Sequence, residues 1–332
     1  MKKAILVKER TIEIHEVPQP CIRHEDEVRI KVHYVGICAD DLILFNAVHH
    51  KNHLGHEFSG IITDLGQEAA RAGFAAGMPV TGYTWTFCGK CPYCRSGMEN
   101  LCINTTNDGA LGEYLVIKDR QTCAVPEGIP LIKAGLTELL ASCIHGVDRL
   151  GIRPGQSVLI LGAGGAGLIM LQLAKLQGAV RLTVSEPVES KRLLARNLGA
   201  DYVIDPEKDN LVMRAMEITG GLGYSIIIDA SRNRDAVQQA ANLLSKGSSF
   251  LVFSLYDIQD RVSLNLSALY AKECNILTSY MAPYMLPRAI ELLPRLNLDP
   301  VIGACFPFEQ IQQGFETAAA GLYPRVIIQI AG

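Results

Sequence analysis

Residues 157–179 read SVLILGAGGAGLIMLQLAKLQGA. A short apolar run meets a glycine-rich turn, and a stretch with helical spacing follows. Gly162, Gly164 and Gly167 stand in G-x-G-x-x-G spacing, a string that carries weight only between a strand and a helix. Both conditions hold here. Gly162 permits the tight turn, Gly164 lets the backbone approach a diphosphate, and Gly167 allows the helix to pack close on the strand. The helix start at Gly165 and Ala166 offers N–H donors and a positive dipole end to phosphates. Glu186 lies nineteen residues beyond Gly167, closing the next apolar run, RLTVSE. A carboxylate there accepts hydrogen bonds from adenosine ribose hydroxyls and repels a 2′-phosphate, so the pattern predicts NAD rather than NADP. Gly162, Gly164, Gly165, Ala166, Gly167 and Glu186 are the predicted cofactor-binding residues. A glycine turn in an unrelated α/β protein would share the string without the strand, helix and acid in register.

Outward from this turn, SVLILG, RLTVSE, DYVIDP, YSIIIDAS, SFLVFSL and NILTSYM alternate with helix-like stretches such as SKRLLARNLGA and DAVQQAANLLSKG. Apolar strands separated by helices predict βαβ units and a parallel sheet of six strands. The first 125 or so residues differ, being turn-rich with short strand candidates such as EVRIKVHYVGIC, MPVTGYT and GEYLVIK. The fold class is therefore α/β, a doubly wound sheet joined to a β-rich region. At 332 residues and 48% hydrophobic the chain has material for two domains, and 20% charged residues argue against disorder. A net charge of −3 without a basic stripe argues against nucleic acid as partner. No apolar run reaches the length of a bilayer span, and MKKAILVKERTIEIHE turns polar too soon for a signal peptide. Ten cysteines in that setting point to a reducing cytoplasm and to metal rather than disulfides.

Four of those cysteines, Cys88, Cys91, Cys94 and Cys102, run C-x2-C-x2-C-x7-C within FCGKCPYCRSGMENLC. Two-residue gaps turn consecutive thiolates inward and a short loop returns the fourth, closing a tetrahedral S4 site suited to zinc. Four protein ligands leave no open position, so the site is read as structural. The last gap is wrong for a ferredoxin cluster, and disulfides are disfavoured by compartment.

Elsewhere, GICADD (residues 36–41) and LGHEFSG (residues 54–60) set Cys38 eighteen residues before His56, with Glu57 beside it. An isolated Cys or His is usually packed or solvated; so are read His15, His24 and His33 on strand-like segments, and His49, His50 and His53 in a polar loop. Cys38 and His56 stand out through their company. Taken with GEY, the cysteine lobe, the Gly162 turn, Lys272–Glu273 and the closing run RVIIQI, the chain resembles the zinc-dependent medium-chain dehydrogenases, and within them the sorbitol, galactitol-phosphate and butanediol dehydrogenase branch.

That resemblance implies a GroES-like catalytic domain from residues 1–146 and 282–332, with a structural zinc lobe at about 86–104. Residues 147–281 would form a Rossmann domain. It implies that Cys38 and His56 bind a catalytic zinc, with Glu57 a direct ligand or one step removed, and with Glu138 matching the glutamate ligand of polyol-type members. Cys88, Cys91, Cys94 and Cys102 match the structural zinc site. It further implies an alcohol or ketone substrate in the cleft between the domains, and a homodimer or homotetramer built through NILTSYM. Three departures appear. Asp40 stands where the family has a Ser or Thr that relays the substrate proton, Leu139 follows Glu138 where the polyol branch often has proline, and LILFNAVHHKNH lacks the usual proline before the GHE triplet. The first and last of these keep open a second reading, a NAD-binding homologue with little catalysis that serves as a sensor.

Overall fold

The computed structural model describes residues 1–47 and 53–331, so His49 and His50 lie outside the described residues. Two compact units emerge, Met1–Ala141 with Ala282–Gly332, and Ser142–Met281.

In the first unit the strand Glu27–Ile37 is the organiser. Val28, Ile30 and Val32 alternate with polar neighbours and are fully buried. The pairing with Glu57–Leu65 skips a residue between Val32 and Tyr34. This bulge flips the phase, so Val35 and Ile37 turn inward next. The strand pairs antiparallel with Glu57–Leu65, Tyr114–Lys118 and Val326–Gln329, and the last of these runs parallel to Ala304–Pro307. Pro79–Gly82 and Thr122–Ala124 extend the other side, giving seven strands. Strands from the N-terminal and C-terminal segments of this unit thus meet in one sheet. Phe45, at the end of helix Ala39–Phe45, packs on Phe315 of helix Ile311–Ala319, with ring centroids 5.2 Å apart.

The second unit carries six parallel strands in the order Tyr202–Ile204, Val180–Ser185, Ser157–Leu161, Tyr224–Asp229, Leu244–Val252, Asn275–Thr278. The first strand in sequence, Ser157–Leu161, lies third in the sheet and is buried throughout. From it the chain winds first one way and then the other, so the reversal falls between Ser157–Leu161 and Tyr224–Asp229. The six apolar runs are the six strands, and the doubly wound fold is borne out. Among the described residues no helix is long and apolar enough to cross a membrane.

Candidate active site and cofactor turn

Cys38 follows the strand Glu27–Ile37 and caps the helix Ala39–Phe45. Its Sγ accepts from the Asp40 N–H at 3.1 Å, while its own N–H donates to Asp41 Oδ2 at 2.9 Å. The other Asp41 oxygen accepts from the Gly55 N–H at 2.7 Å. One buried carboxylate therefore staples the Cys38 turn to the segment carrying His56. Strand pairing completes the approach, because Gly36 sits opposite Glu57. A Cβ at Gly36 would collide with Glu57 Oε2, so the missing side chain gives that carboxylate its room.

Donor atoms of Cys38, His56 and Glu57 all lie within 4.8 Å of one another, and all three residues are buried. Glu57 Oε1 pairs with the Arg325 guanidinium at 3.3 Å, and Arg325 Nη1 donates to the Ile37 carbonyl at 2.8 Å. Among the described residues, the buried Glu57 Oε2 has no hydrogen-bond partner. Burial pushes the Cys38 thiol up to about 12, against the pull of His56. Burial opposes protonation of His56, yet Cys38 beside it carries its pKa well above the ordinary range. Burial likewise raises Glu57, with Arg325 opposing. These are the marks of a donor set that fits a cation: a thiol, an imidazole and an orphaned carboxylate oxygen out of water. Glu138, buried in the first turn of helix Thr137–Leu150, is felt electrostatically at His56 but stands outside the 4.8 Å set. The half-buried Asp40 acts likewise on Cys38 and Glu57.

The four lobe cysteines converge in the same way, their sulfurs all within 4.8 Å of one another. Cys102 Sγ accepts from the Cys88 and Asn104 N–H groups at 3.3 and 3.4 Å, and Cys91 Sγ from the Cys94 N–H at 3.5 Å. Backbone N–H groups of Lys90 and Cys91 draw the Cys88 thiol down to about 6. Such donors stabilise thiolates, which is the form that binds zinc.

At the glycine turn Gly162 has φ +95°, and a Cβ there would lie 2.6 Å from the Ala230 carbonyl oxygen. A Cβ at Gly167 would overlap the Gly162 carbonyl, so helix Gly165–Leu176 sits directly on the turn. Gly164 caps that helix without any side-chain bond, leaving its first N–H groups to a ligand. Glu186 is buried, and its carboxylate accepts from the Ala163 N–H at 2.7 Å, the Val188 N–H at 3.0 Å and Lys191 Nζ at 2.8 Å. It buttresses the turn, a role its position in the sequence does not reveal.

Residues 24–127 match the alcohol dehydrogenase GroES-like domain family, and residues 165–295 the zinc-binding dehydrogenase family. The D-arabitol-phosphate dehydrogenase of Enterococcus avium is 31% identical over 321 residues, covering 92% of this chain and 90% of that protein. The chain belongs to the zinc-dependent medium-chain dehydrogenases. It is also similar to the L-threonine 3-dehydrogenase of Pyrococcus horikoshii, 30% identical over 95% of this chain and 93% of that one. A Sinorhizobium meliloti structure described as a zinc-binding dehydrogenase bound to NADP superposes with a TM-score of 0.92, at 28% identity and 99% coverage of both chains. The dehydrogenase is accordingly a zinc-dependent oxidoreductase of alcohols that uses a nicotinamide dinucleotide.

The sequence reading leaves two residues of the dehydrogenase's buried centre without a role. Asp41 binds the Cys38 turn; the sequence shows it only as the aspartate that the family pattern expects at the end of GICADD, at the spacing of a helix capping box. Arg325 comes from the far end of the chain and leaves no local pattern at all.

Proposed function

We propose that this dehydrogenase oxidises a secondary alcohol of a polyol, a sugar alcohol or its phosphate ester, or a vicinal diol, with NAD, and reduces the matching ketone. The carrying observation is the buried convergence of Cys38, His56 and the unpartnered Glu57 oxygen within 4.8 Å. Cys38 and His56, with Glu57 or Glu138 as third ligand, would hold a zinc ion, which would supply Lewis acidity toward the substrate hydroxyl, and a bound NAD would supply the hydride acceptor. Asp40 accepts the proton released from that hydroxyl, in place of a Ser or Thr relay. Asp41 cannot share the task, since both of its oxygens are engaged by backbone N–H groups. Arg325 pairs with Glu57 and opposes the rise that burial imposes on its carboxyl. Cys88, Cys91, Cys94 and Cys102 hold a second zinc with a closed shell, which shapes the lobe.

The Gly162 turn and the open N-terminus of helix Gly165–Leu176 take the dinucleotide diphosphate. Glu186 spends three bonds on the protein and has about one lone-pair site left for a ribose hydroxyl. The name of the Enterococcus relative supports a polyol phosphate, and that of the Pyrococcus relative puts L-threonine in the test. A sensor without turnover gains no support from so complete a donor set. Asn275–Thr278 is an edge strand with Ile276 and the nearby Tyr280 exposed, which suits pairing with a second copy. Unpaired thiols gathered for metal suit the cytoplasm.

The test combines metal analysis with assays of polyols, sugar-alcohol phosphates, butanediols and L-threonine. Wild type is expected to carry about two zinc ions per chain and to form NADH with a polyol-type substrate. C38S should keep about one zinc and NADH binding but lose turnover. D40N should keep both metals and lower kcat by about 10²–10⁴-fold. A wild-type protein whose zinc content and turnover survive C38S unchanged would end the reading.

A further inference from the structure

Among the described residues, six other than glycine have positive φ, and one of them is Arg232, at 56°. Most side chains are disfavoured there, and such backbones persist where the surroundings over-determine them. The loop around Arg232 is held in this way. Asp229, fully buried at the end of strand Tyr224–Asp229, accepts from the Ser231 N–H at 3.0 Å and Ser231 Oγ at 2.8 Å with one oxygen. Its other oxygen accepts from the Tyr256 hydroxyl at 2.9 Å. Ser254 Oγ accepts the Arg232 N–H at 3.1 Å, and Ser231 Oγ accepts the Asn233 N–H at 3.1 Å. These bonds fix the loop, and Arg232 is exposed on it.

Its place in the sheet gives this a purpose. Ligands of doubly wound sheets bind outside the carboxyl ends of the strands where the winding reverses. Here that point lies between Ser157–Leu161 and Tyr224–Asp229. Both loops that leave it touch: the site of a Gly162 Cβ is 2.6 Å from the Ala230 carbonyl oxygen and 3.1 Å from Ser231 Cα. Arg232 is the next residue along. The neighbouring Arg234 pairs with Asp260 at 3.4 Å.

We infer that Arg232 is a cofactor-binding residue, a guanidinium stationed on a strained but fastened loop beside the Gly162 turn to pair with the dinucleotide diphosphate. The inference rests on the dinucleotide reading of that turn. The pairing adds charge where the turn itself offers only N–H groups, and Arg suits it by presenting a fork of donors to phosphate oxygens.

The test is NADH affinity of the zinc-loaded protein by fluorescence titration at low and moderate salt, with R232N and R232K. Asn tolerates the left-handed backbone and removes the charge; Lys keeps the charge. R232N is expected to weaken NADH binding about tenfold and to flatten its salt dependence, with R232K staying within about threefold of wild type. Unchanged zinc content and thermal midpoint show that the variants are folded. R232N binding within about twofold of wild type, or R232K as weak as R232N, overturns the pairing while the dinucleotide reading stands. A wild type that does not bind NADH brings both down.

Discussion

Asp41 shows how much one side chain organises. It is 1% exposed and holds the N–H of Cys38 and the N–H of Gly55, drawing together two segments that each carry a zinc-type donor. D41A is expected to leave two buried N–H groups unmatched and to cost about 2–4 kcal/mol of stability, measured by chemical denaturation. It should also release the zinc at Cys38 and His56 while the four-cysteine zinc stays, a selective loss that metal analysis would detect. Equal loss of both metals would mean that Asp41 supports the unit at large rather than this turn. The lobe cysteines were legible in the sequence because ligand chemistry restricts residue type and spacing, whereas Cys38 and His56 were marked by the family resemblance of the segments that carry them. Asp41 was expected there from the family pattern, but its role was not legible, since an aspartate that binds backbone looks the same in sequence as one in water.

Glycine spacing at the nucleotide turn is a statement about two elements in contact. Helix Gly165–Leu176 rests on the carbonyl of Gly162, and a methyl group at Gly167 has no space there. G167A is expected to push the helix off the turn, with a cost of about 1–3 kcal/mol and a loss of NADH affinity of at least about tenfold. Thermal unfolding and fluorescence titration would check the pair of effects; NADH affinity equal to wild type would show the contact to be irrelevant to binding. Periodicity marked the strands well. EVRIKVHYVGIC reads as one strand alternating in period two, and only the pairing of Glu27–Ile37 with Glu57–Leu65 reveals the bulge between Val32 and Tyr34.

For the molecule as a whole, the exposed edge Asn275–Thr278 is the feature that points beyond one chain. Among the described residues no strand pairs with its outer edge, and Ile276 is 42% exposed. I276K places a charge on that edge and is expected to convert an oligomer to monomers in sedimentation or light-scattering measurements, with stability changed little at the level of the isolated chain. A wild type that is monomeric at all concentrations would refute assembly through this strand. Within the first unit, the joining of Val326–Gln329 to Glu27–Ile37 is what delivers Arg325 to Glu57.

From its sequence alone this protein's alternating strands and helices, its glycine turn, its thiolate lobe and its candidate ligands could be read, because periodicity and short-range spacing are imposed by local geometry. Only the tertiary structure decided that Arg325 neutralises Glu57, that Asp41 binds the Cys38 turn, that Glu186 props the glycine loop, and that Arg232 stands strained beside it. Those outcomes depend on burial and on the mutual orientation of residues far apart in the chain. Such pairings gain their energy from low dielectric and fixed geometry, and neither leaves a periodic trace in the order of amino acids.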